Sequence, residues 1–462
     1  MKIENFINGE HKSQTATFKK LNPFTNEILY TVASASVLDL VQTIQFGQKA
    51  YSEWKQTALI ERLTYLDKIK SEYINSKTEI IKSESTDQGL PLQFTESANY
   101  AIGLNIIDKL KAELNQNSDI ENKRIYSATG LIAIILSWNL SNRLFIERTL
   151  AAIMAGNTVV IKCSSMAPST AQVWSQIFKK INLPPGVVQF IHTNEQSVKD
   201  LLVTHPGIKA VSFVGTLKNS SDILKKVSSI SFNQFKKIQI ATGTKNAAIV
   251  LTEPSENLAH EVFDSFMIGQ GQLAWNSARL FITEKNAAAW GELLVNYLQK
   301  QKRLESPEQN NTWTPILKKS SIQTFNEIKK TAAEDQAKLI FENQIVSFPE
   351  NYLLPTFTKD MSNCSALQQD QVMAPLYIMS EVKYAFDIPK YSNVSYYGHG
   401  ASVWSEFSKA EKIINNLDVG QVSLNQWLIY SKIQNSAVKQ SAFGQQDYHI
   451  FGDFFSNAKS LS

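Results

Sequence analysis

Ala155-Gly156-Asn157-Thr158-Val159-Val160-Ile161-Lys162 contains the run on which the reading of the fold turns. Thr158–Ile161 is a short apolar stretch of strand character, set between helical patterns at Arg143–Met154 and Thr170–Ile181. The same alternation spreads outward in both directions. Strand-like runs stand at Leu131–Leu136, Val187–Ile191, Ala210–Val214, Lys237–Ile240 and Ala247–Leu251, with another helical pattern at Ser197–Thr204. Short strands alternating with longer helices predict βαβ units and a parallel sheet covered on both faces.

Beyond Leu251 the alternation restarts. Glu261–Ile268, Ala287–Gln301, Ser320–Glu334 and Lys409–Leu417 read as helices, while Arg279–Thr283, Leu339–Ile340, Tyr377–Ser380 and Ala401–Trp404 read as strands. Lys302–Thr314 is polar and loop-like. Towards the N-terminus, Val37 to Trp54 repeats at helical spacing after a serine start at Ser34 or Ser36. Helices are also expected over about Ile60–Lys82 and Glu96–Leu114, followed by polar Asn115–Asn122. Two α/β domains are expected, meeting near residues 240–275, where ligands usually bind in such folds.

Composition excludes several classes. The chain has 462 residues, 43% of them hydrophobic, which is too large for one simple core and too apolar for disorder. The longest apolar stretches, such as Leu131–Leu136, fall far short of the roughly 20 residues of a membrane helix. The opening MKIENFINGEHK has no apolar signal core, and a cytoplasmic location is expected. Two cysteines, Cys163 and Cys364, cannot build a disulfide framework or a thiolate zinc site. Charge is balanced at +4 without a basic stripe, so nucleic-acid binding is not expected. The pairs Lys19-Lys20, Lys179-Lys180 and Lys236-Lys237 read as solvated helix ends or loop edges. The six histidines, His11, His192, His205, His260, His399 and His449, show no metal spacing and read as surface or turn residues. No Gly-x-Gly-x-x-Gly follows any expected strand; Gly269-Gln270-Gly271 lacks the third glycine.

The order of segments resembles the aldehyde dehydrogenase superfamily over nearly the whole chain. The resemblance is carried by Phe6-Ile7-Asn8-Gly9, Asn22-Pro23-Phe24, Trp138-Asn139, Ala155 to Lys162, and Leu183-Pro184-Pro185-Gly186-Val187. Val211 to Thr216, Gly243 with Lys245, Gly271-Gln272 with Arg279, Pro375, Gly420 to Asn425 and Phe443-Gly444 follow in order. It implies an α/β aldehyde dehydrogenase-like fold of two α/β domains plus a small oligomerisation arm. By this resemblance 1–114 and 132–240 form a Rossmann-like cofactor domain and 241–435 a catalytic-type domain, with 115–131 and 445–462 as oligomerisation segments.

The family's chemistry uses a cysteine thiolate nucleophile, an asparagine and a backbone N–H for the oxyanion, a nicotinamide hydride acceptor and a glutamate base. Asn139 matches the oxyanion asparagine, although alone it reads as a turn residue. The family's Gly-Gln-x-Cys-x-x-x-x-Arg appears as Gly271-Gln272-Leu273-Ala274 to Arg279, so Ala274 stands at the nucleophile position. Its Glu-Leu-Gly-Gly-Lys appears as Ala241 to Lys245, so Ala241 stands at the base position. Its Glu-x-Phe-Gly-Pro appears as Gln371 to Pro375, replacing the carboxylate that would hold the nicotinamide ribose. Ser277 and Asn276 have no base to activate them, Cys163 reads as an inert buried thiol, and Trp275 reads as packing.

On the cofactor side the resemblance assigns Trp138, Lys162, Ser165, Gly215, Thr216 and Gln371. Ser220 replaces the second glycine of the turn that begins at Gly215, which points to weak or absent NAD or NADP binding. Ser165 replaces a carboxylate that favours a free 2′-hydroxyl, so NADP is slightly favoured over NAD. No metal is expected. The expected molecule is a homo-oligomer, a dimer rather than a tetramer, in which Arg124–Ala128 and Phe454–Leu461 join sheets across subunits. A protein partner is a further possibility; a membrane is not expected. The reading is of a catalytically inactive aldehyde dehydrogenase-like protein with a scaffolding, assembly or ligand-binding role. The alternative is an NAD(P)-dependent dehydrogenase with relocated or engineered catalytic residues.

Overall fold

Capping side chains start several helices where the polar–apolar pattern places them. Ser36 accepts from the Asp39 N–H while Asp39 accepts from the Ser36 N–H, which begins the helix Val37–Trp54. Thr216 accepts from the Asn219 N–H to cap Leu217–Ser229, and Ser255 from the Leu258 N–H to cap Glu256–Met267. The computed structural model describes residues 2–116, 124–230, 234–334, 337–342, 349–359, 362–431, 437–444 and 449–460. The chain forms two compact units, the first from residues 1–88, 95–241 and 443–462, the second from 89–94 and 242–442.

In the first unit, Lys237–Ala241, Ala210–Val214, Leu131–Ile135, Thr158–Lys162 and Val188–Ile191 lie side by side in that order, all parallel. Chain order reverses between Leu131–Ile135 and Ala210–Val214, the point at which doubly wound sheets open a crevice at their carboxyl ends. The antiparallel hairpin Asn5–Ile7 and Glu10–Lys12 closes one edge, and Ala442–Phe443 borders the other as the chain returns to this unit. Leu40, Ile44, Leu131, Val160, Val198, Leu202 and Val211 fill the core on one face. The sheet is buried on both sides, and its strands are accordingly near-continuous runs of Val, Ile and Ala.

The second unit holds a seven-stranded sheet: Lys338–Glu342, Thr356–Lys359, Leu376–Val382, Ser277–Thr283, Asn246–Val250, Gly400–Trp404 and Gln421–Leu424. All pairs are parallel except the first. Val262, Phe263, Phe266, Trp290 and Phe357 pack one face, and Ile249, Phe281, Ile388, Val403 and Ile413 the other.

Several expectations are corrected. The helix expected over Ile60–Lys82 is two helices, Leu59–Asn75 and Lys77–Gln88, separated at Ser76. Five strands between Lys2 and Ala33 were not expected from the sequence; four are two to five residues long and carry little period, whereas Ile28–Ala33 is an apolar run that sequence reasoning missed. Lys20 and Lys236 are not solvated. Lys20 is buried and its ammonium donates to the Asp87 carbonyl at 2.8 Å; Lys236 donates to the carbonyls of His205 and Ile208, both at 2.6 Å. His192 is a core residue, and burial with Lys162 nearby lowers it to about 3. His399 is half-buried, its Nδ1 3.1 Å from Asn246 Oδ1.

Arg124–Ala128 pairs with Ser456–Ser460 antiparallel within the same chain, Ser456 opposite Ala128 and Ser460 opposite Arg124. The two pieces therefore join each other within the chain. Tethering explains it: Asn157 Nδ2 donates to the Phe455 carbonyl at 2.8 Å, and Lys237 Nζ to that of Ser456 at 2.8 Å, so the C-terminal strand is delivered beside its partner. Most of the polar segment Asn115–Asn122, and Leu461, lie outside the described residues. Among the described residues no helix is long and apolar enough to cross a membrane.

Candidate active site

Trp138 and Asn139 are buried at the turn between the strand Leu131–Ile135 and the helix Ser141–Phe145. The next residue, Leu140, sits at φ 48°, a left-handed conformation that costs a β-carbon residue on the order of 1 kcal/mol. Neighbouring side chains hold it there. The Leu140 N–H donates to Gln88 Oε1 at 2.9 Å, and the Gln88 amide in turn donates to Glu84. Glu84 is 1% exposed and also accepts from Ser141, Thr170 and Asn99. Burial raises its carboxyl above the usual range, and those donors pull it partly back. This brace of the Asn139 turn was missed in the sequence, because Glu84 and Gln88 lie more than fifty residues upstream and carry no motif.

Lys162 ends its strand and lines a cavity of about 490 Å³ at the carboxyl ends of the sheet. Ile135 and Phe213 contribute from the neighbouring strands, with Lys199, Asp200, Asn219 and Lys226 from two flanking helices. Lys226 pairs with Asp200 between those helices. Gly215 packs closely here: a β-carbon on it would fall 2.4 Å from the Phe213 ring, which would have to shift. Thr216 caps the helix that follows. Ser220 does not obstruct that helix end: its hydroxyl turns back onto the Leu217 carbonyl at 2.7 Å and is buried. Ser165 is half-buried beyond the strand end but does not line the cavity. The cavity suits the adenosine half of a dinucleotide in position and size. Lys199, Asp200 and Lys226 were missed by sequence reasoning, because a polar helix face reads the same whether it lines a cavity or meets solvent.

Ala241, at the position matched to the base, ends the strand Lys237–Ala241 half-buried, its carbonyl accepting from the Gly215 N–H at 3.1 Å. Cys163 is buried, and desolvation pushes its thiol up to about 12, which keeps it un-ionised.

In the second unit the loop carrying Ala274 is braced on every side. Gly269, Gln270 and Gly271 are all left-handed, and a β-carbon on Gly271 would meet the Ala374 carbonyl oxygen at 2.5 Å. Gln272 donates to the carbonyls of Gly269 and Pro315, each at 3.0 Å, and accepts from the Leu317 N–H at 3.0 Å. Asn276 accepts from the Leu273 N–H and donates to the Ser265 and Ile268 carbonyls. Asn246 donates to the Ala274 carbonyl at 2.8 Å, and Trp427 Nε1 to that of Trp275 at 2.7 Å. The result is a fixed turn presenting a half-buried methyl group at Ala274. Ser277 bonds Ser265 Oγ at 2.8 Å in the core, with no base beside it. Gln371 lies against Gly243, its Oε1 2.5 Å from where a β-carbon on that glycine would stand. An amide at Gln371 supplies no charge to a ribose, so this unit fits the nicotinamide side of a cofactor less well. Among the described residues no group of three or more His, Cys, Asp or Glu side chains could hold a metal ion.

Comparison with known proteins agrees with this architecture. The aldehyde dehydrogenase family profile matches residues 10–461. A Staphylococcus haemolyticus protein assigned by name to the aldehyde dehydrogenases is 25% identical over 475 residues, covering 99% of this chain and 98% of its own. The crystal structure of a Bartonella henselae aldehyde dehydrogenase superposes with a TM-score of 0.88 at 21% identity, covering 100% of this chain and 99% of that one. A variant of the Thermus thermophilus 1-pyrroline-5-carboxylate dehydrogenase gives 0.90 at 20% identity, covering 100% and 92%. With the family profile spanning nearly every residue and the same fold behind it, this chain belongs to the aldehyde dehydrogenase family.

Proposed function

We propose that this family member does not oxidise aldehydes and serves as a ligand-binding or assembly protein on the aldehyde dehydrogenase fold. One observation carries the reading: the braced turn at 271–276 is fully formed around a methyl group at Ala274. A methyl has no lone pair with which to attack a carbonyl. Ala241 likewise cannot activate water, and the thiol of Cys163 is buried and un-ionised, so it offers no relocated nucleophile.

The cavity beside Lys162 supports retention of nucleotide affinity without turnover. NADP, when bound, would supply a hydride acceptor; Lys162 would hold its adenosine side, and Thr216 with the helix it caps would face its phosphates. By the family resemblance Ser165 stands where a carboxylate would disfavour a 2′-phosphate, and on that resemblance, not on the lining of the cavity, NADP is favoured over NAD. In this reading the protein is a cytoplasmic homodimer.

The test is a steady-state assay with short aliphatic, long aliphatic and aromatic aldehydes and either cofactor. No turnover is expected, and Ala274→Cys alone should give at most a stoichiometric acyl-enzyme, since deacylation also needs a base near 241. A robust rate that Cys163→Ser abolishes would overturn the reading in favour of relocated catalysis. Calorimetry should show NADP binding more tightly than NAD. Light scattering behind size exclusion should give twice the 51.9 kDa chain mass.

A further inference from the structure

Two cations are buried together in the second unit, and among the described residues no carboxylate is hydrogen-bonded to either. Lys245 and Arg279 are each 2% exposed. Arg279 Nη2 donates to the Lys245 carbonyl at 2.9 Å and Nη1 to that of Tyr391 at 3.4 Å, so the two residues occupy one neighbourhood. Among the described residues Lys245 Nζ and Arg279 Nε have no hydrogen-bond partner, and neither has the buried hydroxyl of Ser392, next in the chain to Tyr391. Lys245 and Arg279 both offer donors, and among the described residues no carboxylate accepts from Lys245 Nζ or Arg279 Nε.

The charge count leads to the same place. The charged groups that act on Lys245 are Arg279, which repels its proton, and Asp370, which attracts it from an exposed position without a hydrogen bond. Two cations against one carboxylate leave one positive charge uncompensated. Gln371, the residue after Asp370, is an amide, and Tyr397, which with it packs against Gly243, is uncharged at neutral pH. Buried unpaired charge costs several kcal/mol, so such a cluster either sheds a proton or takes up a counter-ion.

We propose that Lys245 and Arg279, with Ser392 beside them, form a buried site for one small monovalent anion, carboxylate being the favoured class. The planar guanidinium and the ammonium give complementary donors to a two-oxygen acceptor. One monoanion neutralises the cluster. The inference rests on the reading above in one respect, that the carboxylate matched to Gln371 has been lost.

The test uses the intact protein. Melting temperature is followed in acetate, formate, chloride and gluconate at matched ionic strength, for wild type and Lys245→Met. Wild type should gain several degrees in acetate or formate over gluconate, rising with the logarithm of concentration, and Lys245→Met should show no such gain. A gain in chloride equal to that in acetate would overturn the carboxylate assignment. Acetate titration of wild type by calorimetry at pH 8, in buffers of different ionisation enthalpy, needs no variant. Burial holds the free amine near 7, so anion binding should draw in about one proton per chain. No proton uptake, together with identical melting of wild type in all four salts, would overturn the site and leave Lys245 as a neutral buried amine. Aldehyde turnover would sink the earlier reading while leaving these two measurements standing.

Discussion

Glu84 in the first unit and Lys245 in the second are both buried ionisable residues, yet their surroundings are opposite. Glu84 accepts from Gln88, Asn99, Ser141 and Thr170, and through Gln88 it holds the left-handed Leu140 beside Asn139. Lys245 has no acceptor for its ammonium among the described residues. The difference teaches what the fold needs. A group whose hydrogen bonds position backbone is retained with all its partners, because losing one strands several buried donors. Lys245 positions no backbone through its ammonium, and its place in the fold does not depend on a partner for it.

The largest effect that would break this contrast is at Glu84. Glu84→Ala should lower the free energy of unfolding by on the order of 4 kcal/mol, since it orphans buried donors on several elements. Urea denaturation measures it; a loss below about 1 kcal/mol would mean the network is slack.

Opposite pH dependences come next. Asp87, close to Lys20 and Glu84 and accepting from Ser169, is raised by burial from 3.8 to about 7. Its folded form holds the proton more tightly, so its contribution to stability is full below about pH 4 and is lost as pH rises through 7. Lys245 is lowered from 10.5 to about 7, so its contribution is full above pH 10.5 and is lost as pH falls through 7. Asp87→Asn should flatten the acid limb of stability against pH, and Lys245→Met the alkaline limb. Thermal melts across pH 4 to 10 would show whether each variant removes its own slope and spares the other.

A smaller effect is expected for Lys245→Met in gluconate at pH 7: no loss, or a gain of about 1 kcal/mol, because an apolar chain of similar length replaces an unpaired buried amine. A clear loss would mean that the ammonium has a partner. The smallest is a null effect. In the native protein a thiol reagent should label the exposed Cys364 and spare the buried Cys163, read as one modified site by mass spectrometry.

Much of the fold was legible because buried parallel strands and amphipathic helices print their period directly into residue order. Ala210–Val214 is a strand with the ends expected, and the helix from Val37 begins at the Ser36 cap. The N-terminal strands between Lys2 and Leu21 were not legible, since two to five polar-mixed residues carry little period and gain their pairing from distant neighbours. His192, Lys20 and Lys236 were misread for the same reason: burial belongs to the surroundings, not to the residue type.

The sequence by itself determined the identities at 274, 241 and 371, and with them which side chains can carry a lone pair or a charge. It also determined the alternation that makes the sheets. Only the tertiary structure decided that Gln88 and Glu84 hold the Asn139 turn, that Ser220 ties its hydroxyl to the Leu217 carbonyl in the first turn of its helix, and that Arg124–Ala128 pairs with Ser456–Ser460 in one chain. It alone brought Lys245 and Arg279 together with no carboxylate among the described residues bonded to either. The reason is physical: a side chain's chemistry is local to the residue, but its desolvation and its hydrogen-bond partners are set by segments tens to hundreds of positions away.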